Sequence, residues 1–277
     1  MSDILILSSN PAFRTQLEEF VRLHGARPQS ASDVTTALEK MGNWTFDALF
    51  ADISMPLAEQ QKVADALWRQ RLISNFVLVD LDQNSSGSRI EQRLFGAEIA
   101  RGKDVLQILS GYIISSSKTN AMRIEEYPVW VVEDLDSPRD IICAFIEALG
   151  FSKVTGFRSA KETLAALLND PSSCECIITD IRMPEFGGDY LIEQVRKHPK
   201  LSHLPILALT AYGSADTLID CLSKGATGFL VKPPKREDLL RELGRAYRVS
   251  QRMASPRLAS PDEIEQLRVA LERRGFS

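Results

Sequence analysis

The pentad Asp-Ile-x-Met-Pro occurs twice, as Asp52-Ile53-Ser54-Met55-Pro56 and as Asp180-Ile181-Arg182-Met183-Pro184, 128 residues apart. Each copy follows a short apolar run, at residues 48–51 and 176–179. A buried strand that ends on an acid and then breaks at proline leaves a carboxylate at the carboxyl edge of a sheet. In open α/β folds that edge gathers ligands and chemistry. A repeat at this distance predicts two domains of one fold in tandem.

Strands alternate with helical patterns in both halves, which predicts parallel sheets with helices on both faces. In the first half, residues 4–7 form a continuous apolar run. Further strands are expected at 48–51, 76–79 and 98–101, and helices at 11–24, 32–41, 61–71 and 105–114. The second half predicts strands at 129–132, 154–157, 176–179, 206–209 and 228–231, with a helix over 137–149 that has Pro138 in its first turn. Five strands and five helices per half fit two flavodoxin-like doubly wound sheets in tandem, each with strand order 2-1-3-4-5. The expected domains are residues 1–115 and 127–249, joined by a polar linker at 116–126 and followed by a tail at 250–277. Ser260-Pro261-Asp262-Glu263 has the signature of a helix start. That tail helix is either frayed or a signalling helix leading to an output module.

Charge and cysteine usage narrow the function classes. A net charge of −4 disfavours bulk capture of nucleic acid or of an anionic membrane. No apolar run approaches the ~20 residues of a membrane span, and Met1-Ser2-Asp3 lacks the basic segment of a secretory signal. The expected compartment is the cytoplasm. Cys143, Cys174, Cys176 and Cys221 lack paired CxxC spacing and predict thiols, not a metal or disulfide framework.

The second half carries the chemistry. Its first strand ends on Glu133-Asp134 and its third on Asp180. Three carboxylates in one crevice are costly unless a cation neutralises them, and hard oxygen ligands suit Mg²⁺. The fourth strand ends on Thr210, a hydroxyl donor, and the fifth is followed by Lys232, a fixed positive charge.

With Glu133-Asp134, the second pentad, Gly187-Gly188, Leu209-Thr210-Ala211, Gly225-Ala226-Thr227-Gly228-Phe229 and Lys232-Pro233 in order, residues 128–248 resemble the receiver domain of bacterial two-component response regulators. The resemblance implies that Asp180 accepts a phosphoryl group from a phosphohistidine. Glu133, Asp134, Asp180 and the main-chain carbonyl of Arg182 would hold Mg²⁺. Lys232 and Thr210 would engage the phosphoryl oxygens, and Thr210 and Phe229 would form the switch. Arg182 and Tyr212, two residues beyond Asp180 and Thr210, would flank the path of attacking water, and their bulk implies a long-lived phosphoryl state. Arg139 and Asp136 read as helix-start residues.

The first half keeps the pattern without the site. Ser8-Ser9 stand where the family has two acids, Asp80 where it has threonine, and Asp104 where it has the proline after the lysine. Lys103 parallels Lys232, and the aromatic position falls near Ala100. Asp52, Asp80 and Lys103 are expected to form a closed charge cluster that needs no metal. This half resembles a pseudo-receiver.

The expected whole is a phosphorylation-controlled switch acting through protein contact. Its partners would be a sensor histidine kinase or histidine phosphotransfer protein and a downstream protein, without direct nucleic-acid binding. A homodimer is compatible with it. It would act on no separate substrate as an enzyme. Two alternatives stay open: the regulatory portion of a larger enzyme such as a diguanylate cyclase, and a scaffold indifferent to phosphorylation.

Overall fold

Strand β1 (Asp3–Leu7) has four consecutive buried apolar residues after its charged first one. A strand without polar alternation needs cover on both faces, which puts it inside a parallel sheet. It lies between β2 (Arg27–Ala31) and β3 (Ala48–Asp52), parallel to both. The computed structural model describes all residues except 1, 71–74, 82–91, 94–95, 103–104, 120–123, 212–214, 251–253 and 274–277. The chain divides into two units, Met1–Met122 and Arg123–Ser277.

The first unit continues with β4 (Asn75–Asp80) and β5 (Glu98–Arg101), giving the parallel order β2-β1-β3-β4-β5. Its described helices are α1 (Pro11–Leu23), α2 (Val34–Asn43), α3 (Leu57–Gln70) and α4 (Val105–Thr119). A further helix expected between β4 and β5 falls largely outside the described residues. Asn10 caps α1 through its side-chain oxygen, which accepts from the Ala12 amide at 2.9 Å, with Pro11 opening the helix. Asp33 caps α2 by accepting from the Thr36 amide at 2.8 Å. Leu5, Leu7, Met41, Leu49, Val63, Leu67 and Leu78 close the core on one face of this sheet.

The second unit has β6 (Val129–Val132), α5 (Asp136–Ala148), β7 (Val154–Phe157), α6 (Ala160–Asn169) and β8 (Cys176–Asp180). Then come α7 (Gly188–Lys197), β9 (Ile206–Thr210), α8 (Ala215–Lys224), β10 (Gly228–Val231), α9 (Arg236–Ser250) and α10 (Pro261–Arg273). All its strand pairs are parallel, in the order β10-β9-β8-β6-β7. Counted within each unit, both sheets have the predicted order 2-1-3-4-5. No described helix is long and apolar enough to cross a membrane.

Three local expectations change. Strand β2 has no apolar run to announce it, because an edge strand reading Arg-Pro-Gln-Ser-Ala buries only its last residue well. Helix α4 runs to Thr119 instead of stopping at 114, so the polar stretch expected to begin a linker is helical at first. Once residues 105–114 have nucleated a helix, each further residue adds a backbone hydrogen bond at little cost. The third change is the tail helix, which is docked and not frayed. Ser260 and Glu263 form a reciprocal cap, the Glu263 carboxylate accepting from the Ser260 amide at 2.7 Å. Leu258, Ala259, Ile264 and Leu267 are buried, and α10 packs against α8.

Candidate functional site

Ladder register decides which side chains share the carboxyl edge of the second sheet. Val132 lies opposite Thr179, so Glu133 and Asp180 emerge side by side where β6 meets β8. Asp180 lies opposite Leu209, which places Thr210 one step further along β9. Thr210 lies opposite Val231, so Lys232 follows directly. Strands run away in both directions from the β6–β8 junction, the point where a doubly wound sheet opens a crevice. Glu133, Asp180 and Thr210 are buried and Asp134 is half-buried.

Carboxylate oxygens of Glu133, Asp134 and Asp180 lie within 4.8 Å of one another, the one such gathering of three among the described residues. The Lys232 ammonium stands 2.8 Å from Asp180 Oδ2 and also pairs with Glu133 Oε2. Burial works against that charged ammonium, but the hydrogen bonds to Asp180 and Glu133 outweigh it and hold Lys232 above its ordinary pKa. Three carboxylates against one ammonium leave a formal charge of −2, which a divalent cation would cancel. Hard, closely spaced oxygens of this kind fit Mg²⁺.

The loop after Asp180 is shaped by close approach. A Cβ on Gly188 would lie 2.2 Å from the Asp180 carbonyl oxygen, and one on Gly187 would lie 2.4 Å from that of Ile181. Neither position admits a side chain without moving the loop. The Arg182 amide donates to Asp180 Oδ1 at 3.2 Å, which fixes the carboxylate from the other side. Phe229 is half-buried on β10 against the sheet core. Tyr212 lies outside the described residues.

Arg139 is more than a helix-start residue. Its side chain is buried beneath the acidic corner, where Nη1 donates to the Glu133 carbonyl at 2.9 Å and Nη2 pairs with Asp136. That hydrogen bond, with Arg158 nearby, holds the Asp136 carboxyl below the usual range. Gly156 leaves room for the side chain, since a Cβ there would meet Arg139 Cδ at 2.9 Å. In the first unit Arg14 Nη1 makes the same bond to the Ser8 carbonyl at 2.6 Å. An arginine six residues past Ser8 and past Glu133 is a legible signal, present in both halves. Because it orients the backbone that carries two candidate metal ligands, Arg139→Ala should weaken Mg²⁺ binding by roughly tenfold, measured by calorimetric titration. Unchanged affinity would limit Arg139 to a role in folding.

In the first unit the register puts Ser8 and Ser9 at the places of Glu133 and Asp134, Asp52 at that of Asp180, and Asp80 at that of Thr210. Two expectations shift by one residue. Leu78 lies opposite Ile99 as Ala208 lies opposite Phe229, so Ile99 and not Ala100 takes the aromatic position. Gly102, with φ +91°, follows the strand where Lys232 does, one residue before Lys103. The second half has two more residues between its third and fourth strands, which simple sequence spacing overlooks. Lys103 and Asp104 lie outside the described residues.

Of the expected cluster of Asp52, Asp80 and Lys103, the lysine lies outside the described residues, and serine hydroxyls hold Asp52. Ser8 Oγ donates to Asp52 Oδ2 at 2.7 Å, while Ser54 donates to Oδ1 through its amide at 2.9 Å and its hydroxyl at 2.6 Å. Buried Gln60 ties down the following loop by donating to the Ile53 and Met55 carbonyls at 3.1 and 2.7 Å. Asp80 is buried at its strand end.

The response regulator receiver domain family matches residues 129–244. The two-component response regulator ORR11 of Oryza sativa is 32% identical over 117 residues, covering 42% of this chain and 78% of that protein. The response regulator protein TmoT of Ectopseudomonas mendocina is 28% identical over 154 residues, covering 54% of this chain and 64% of that one. A solved probable two-component system response regulator/GGDEF domain protein is 18% identical and aligns with 91% of this chain and 100% of its own, at a TM-score of 0.42. The chain spans less than two thirds of several curated relatives, down to 20% of one. The acid pair, central aspartate, threonine and lysine at one sheet edge, together with the family match and the Oryza sativa relative, place the chain in the response regulator family, with its receiver domain at residues 129–244.

Proposed function

We propose that the second unit accepts a phosphoryl group on Asp180 from a phosphohistidine of a sensor kinase or phosphotransfer protein, and that this modification switches its contacts with a downstream protein. The observation that carries the reading is the Lys232 ammonium, set between Glu133 and Asp180 at the edge where Asp134 and Thr210 also lie. An Asp180 carboxylate oxygen forms a bond to phosphorus as the histidine N–P bond breaks. The imidazole leaves with the electron pair of that bond, takes up a proton, and an aspartyl acyl phosphate remains. Mg²⁺, held by Glu133, Asp134, Asp180 and the Arg182 carbonyl, would supply charge neutralisation for the transferring group.

Among the chain's own residues, Lys232 offsets charge on the phosphoryl oxygens and the Thr210 hydroxyl donates to one of them. That donation draws the end of β9 toward the site, and the half-buried Phe229 ring follows into the space released. The added charge of about −2 is the switching event. A near-complete switch requires about 5 kcal/mol of differential stabilisation. The domain modifies only itself and acts in the cytoplasm, without binding nucleic acid directly.

The first unit serves as an interaction or regulatory module that is not phosphorylated. Asp52 already has its oxygens engaged by Ser8 and Ser54, and Gly102, not a lysine, takes the position directly after β5. Incubation of the full chain with Mg²⁺ and acetyl phosphate, followed by peptide mass spectrometry, tests both statements. The label is expected on Asp180 alone; label on Asp52 would overturn the reading of the first unit.

The phosphoryl group on Asp180 is long-lived in this reading, because the resemblance implies that Arg182 and Tyr212 flank the water path. Arg182→Asn combined with Tyr212→Glu should speed its loss roughly tenfold, a barrier change of about 1.4 kcal/mol. Identical decay in a chase experiment would remove the idea.

A further inference from the structure

Beyond the family's matched segment, which ends at residue 244, the chain builds an intramolecular contact. Helix α10 packs against α8, and the stretch leading to it is pinned to the start of β10. The Pro256 carbonyl accepts from Thr227 Oγ1 at 2.5 Å and from Arg196 Nη2 at 3.1 Å. The Leu258 amide donates to the Ala226 carbonyl at 2.9 Å. The effect on α8 is visible in its burial. Cys221 faces the sheet core, whereas Ile219, about 200° around the helix from it, is also only 6% exposed. Ile264 and Leu267 of α10 are 7% and 5% exposed on the other side of this contact.

We propose that α8 is an interaction surface for an amphipathic helix, that residues 254–269 are its tethered occupant, and that docking of this tail is coupled to the state of Asp180. The proposal rests on the phosphoacceptor reading above. Each anchor of the tail is continuous with a switch residue. Helix α8 begins five residues after Thr210, and β10 carries Phe229 and leads into Lys232. Lys224 at the end of α8 bridges Asp220 and Asp189 at 2.8 Å each, and Asp189 lies in the first turn after the Asp180 loop.

The docked tail is complementary to the unmodified domain. When Thr210 and Lys232 turn toward a phosphoryl group, α8 shifts with them, and the seat for Ile264 and Leu267 is lost. The tail therefore leaves as the site fills. A partner helix that uses α8 competes with the tail and gains access on phosphorylation. Linkage makes the coupling reciprocal: whatever weakens the tail contact strengthens occupation of the phosphoryl site by the same factor.

Hydrogen exchange on the full chain, with and without Mg²⁺ and beryllofluoride as the phosphoryl mimic, provides the test. Peptides covering 258–270 should exchange at least about fivefold faster in the mimic-bound protein, the lower end of usual coupling. Ile264→Asp with Leu267→Asp should tighten beryllofluoride binding by the same factor. If that pair does not fold, Ile264→Ala should show a smaller shift in the same direction. Unchanged or increased tail protection, while peptides over 206–211 respond, would overturn the coupling and leave the phosphoacceptor reading intact. A protein that responds nowhere to beryllofluoride refutes the phosphoacceptor reading, and the tail coupling falls with it.

Discussion

Asp180→Asn should reduce phosphoryl labelling to background without unfolding the protein, while Asp52→Ala should leave labelling intact and cost stability. The opposite outcomes follow from what surrounds each carboxylate. Asp180 is one of three acids sharing a single lysine. Its replacement by an amide removes the nucleophile and one candidate metal ligand. It also relieves repulsion, and Lys232 keeps its pairing with Glu133. The thermal midpoint should hold or rise.

The described partners of Asp52 are hydroxyl and amide donors. Ser8 and Ser54 supply three donors to its two oxygens, so the carboxylate works as a hub for the strand-end loop. Hydrogen bonds to a charged group contribute more than neutral ones, and Asp52→Ala should lower unfolding free energy by roughly 2 kcal/mol. Labelling and urea unfolding of both variants form the comparison. Residual label on Asp180→Asn would show a second acceptor. A neutral Asp52→Ala would show that the first unit does not depend on this hub.

Much of the fold and of the second site is legible in the amino-acid sequence. Runs such as residues 129–132 announce strands because both faces of a parallel sheet are covered. Site residues at strand ends inherit their order from the sheet. What stays hidden depends on where side chains reach. The variable residue of the pentad, Ser54 in one copy and Arg182 in the other, gives no sign that the serine hydroxyl holds Asp52. Arg139 resembles a solvated helix residue, because a guanidinium donating back to a carbonyl leaves no periodic trace. The lysine position in the first unit is displaced by one residue because two inserted residues shift the repeat spacing. Docking of α10 cannot be read from its thin apolar stripe, since its counterpart lies on a different helix.

Arg196→Leu should produce a large loss of stability in the second unit, on the order of 3–5 kcal/mol by denaturant unfolding. Arg196 lies in the last turn of α7, where it is half-buried and its hydrogen-bond partners are neutral oxygens. Nε donates to the Gly225 carbonyl at 2.8 Å, and Nη1 to those of Leu204 and Ser202 at 2.7 and 3.3 Å. Nη2 reaches Thr227 Oγ1 and the Pro256 carbonyl, both at 3.1 Å. Burial, aided by the like charge of Arg257, lowers its pKa to about 9, which leaves the group cationic at neutral pH. Carbonyl dipoles here replace the water the charge gave up. Leucine fills some of the volume but strands those acceptors, and each buried group left unsatisfied costs about 1–3 kcal/mol. Lysine should recover only part of the loss, because one ammonium cannot span the fork of contacts that the planar guanidinium makes. If Arg196→Leu unfolds like the unmodified protein, the carbonyls must find other donors, and the cluster joining α7, β9, β10 and the tail would not be the structural centre its geometry indicates.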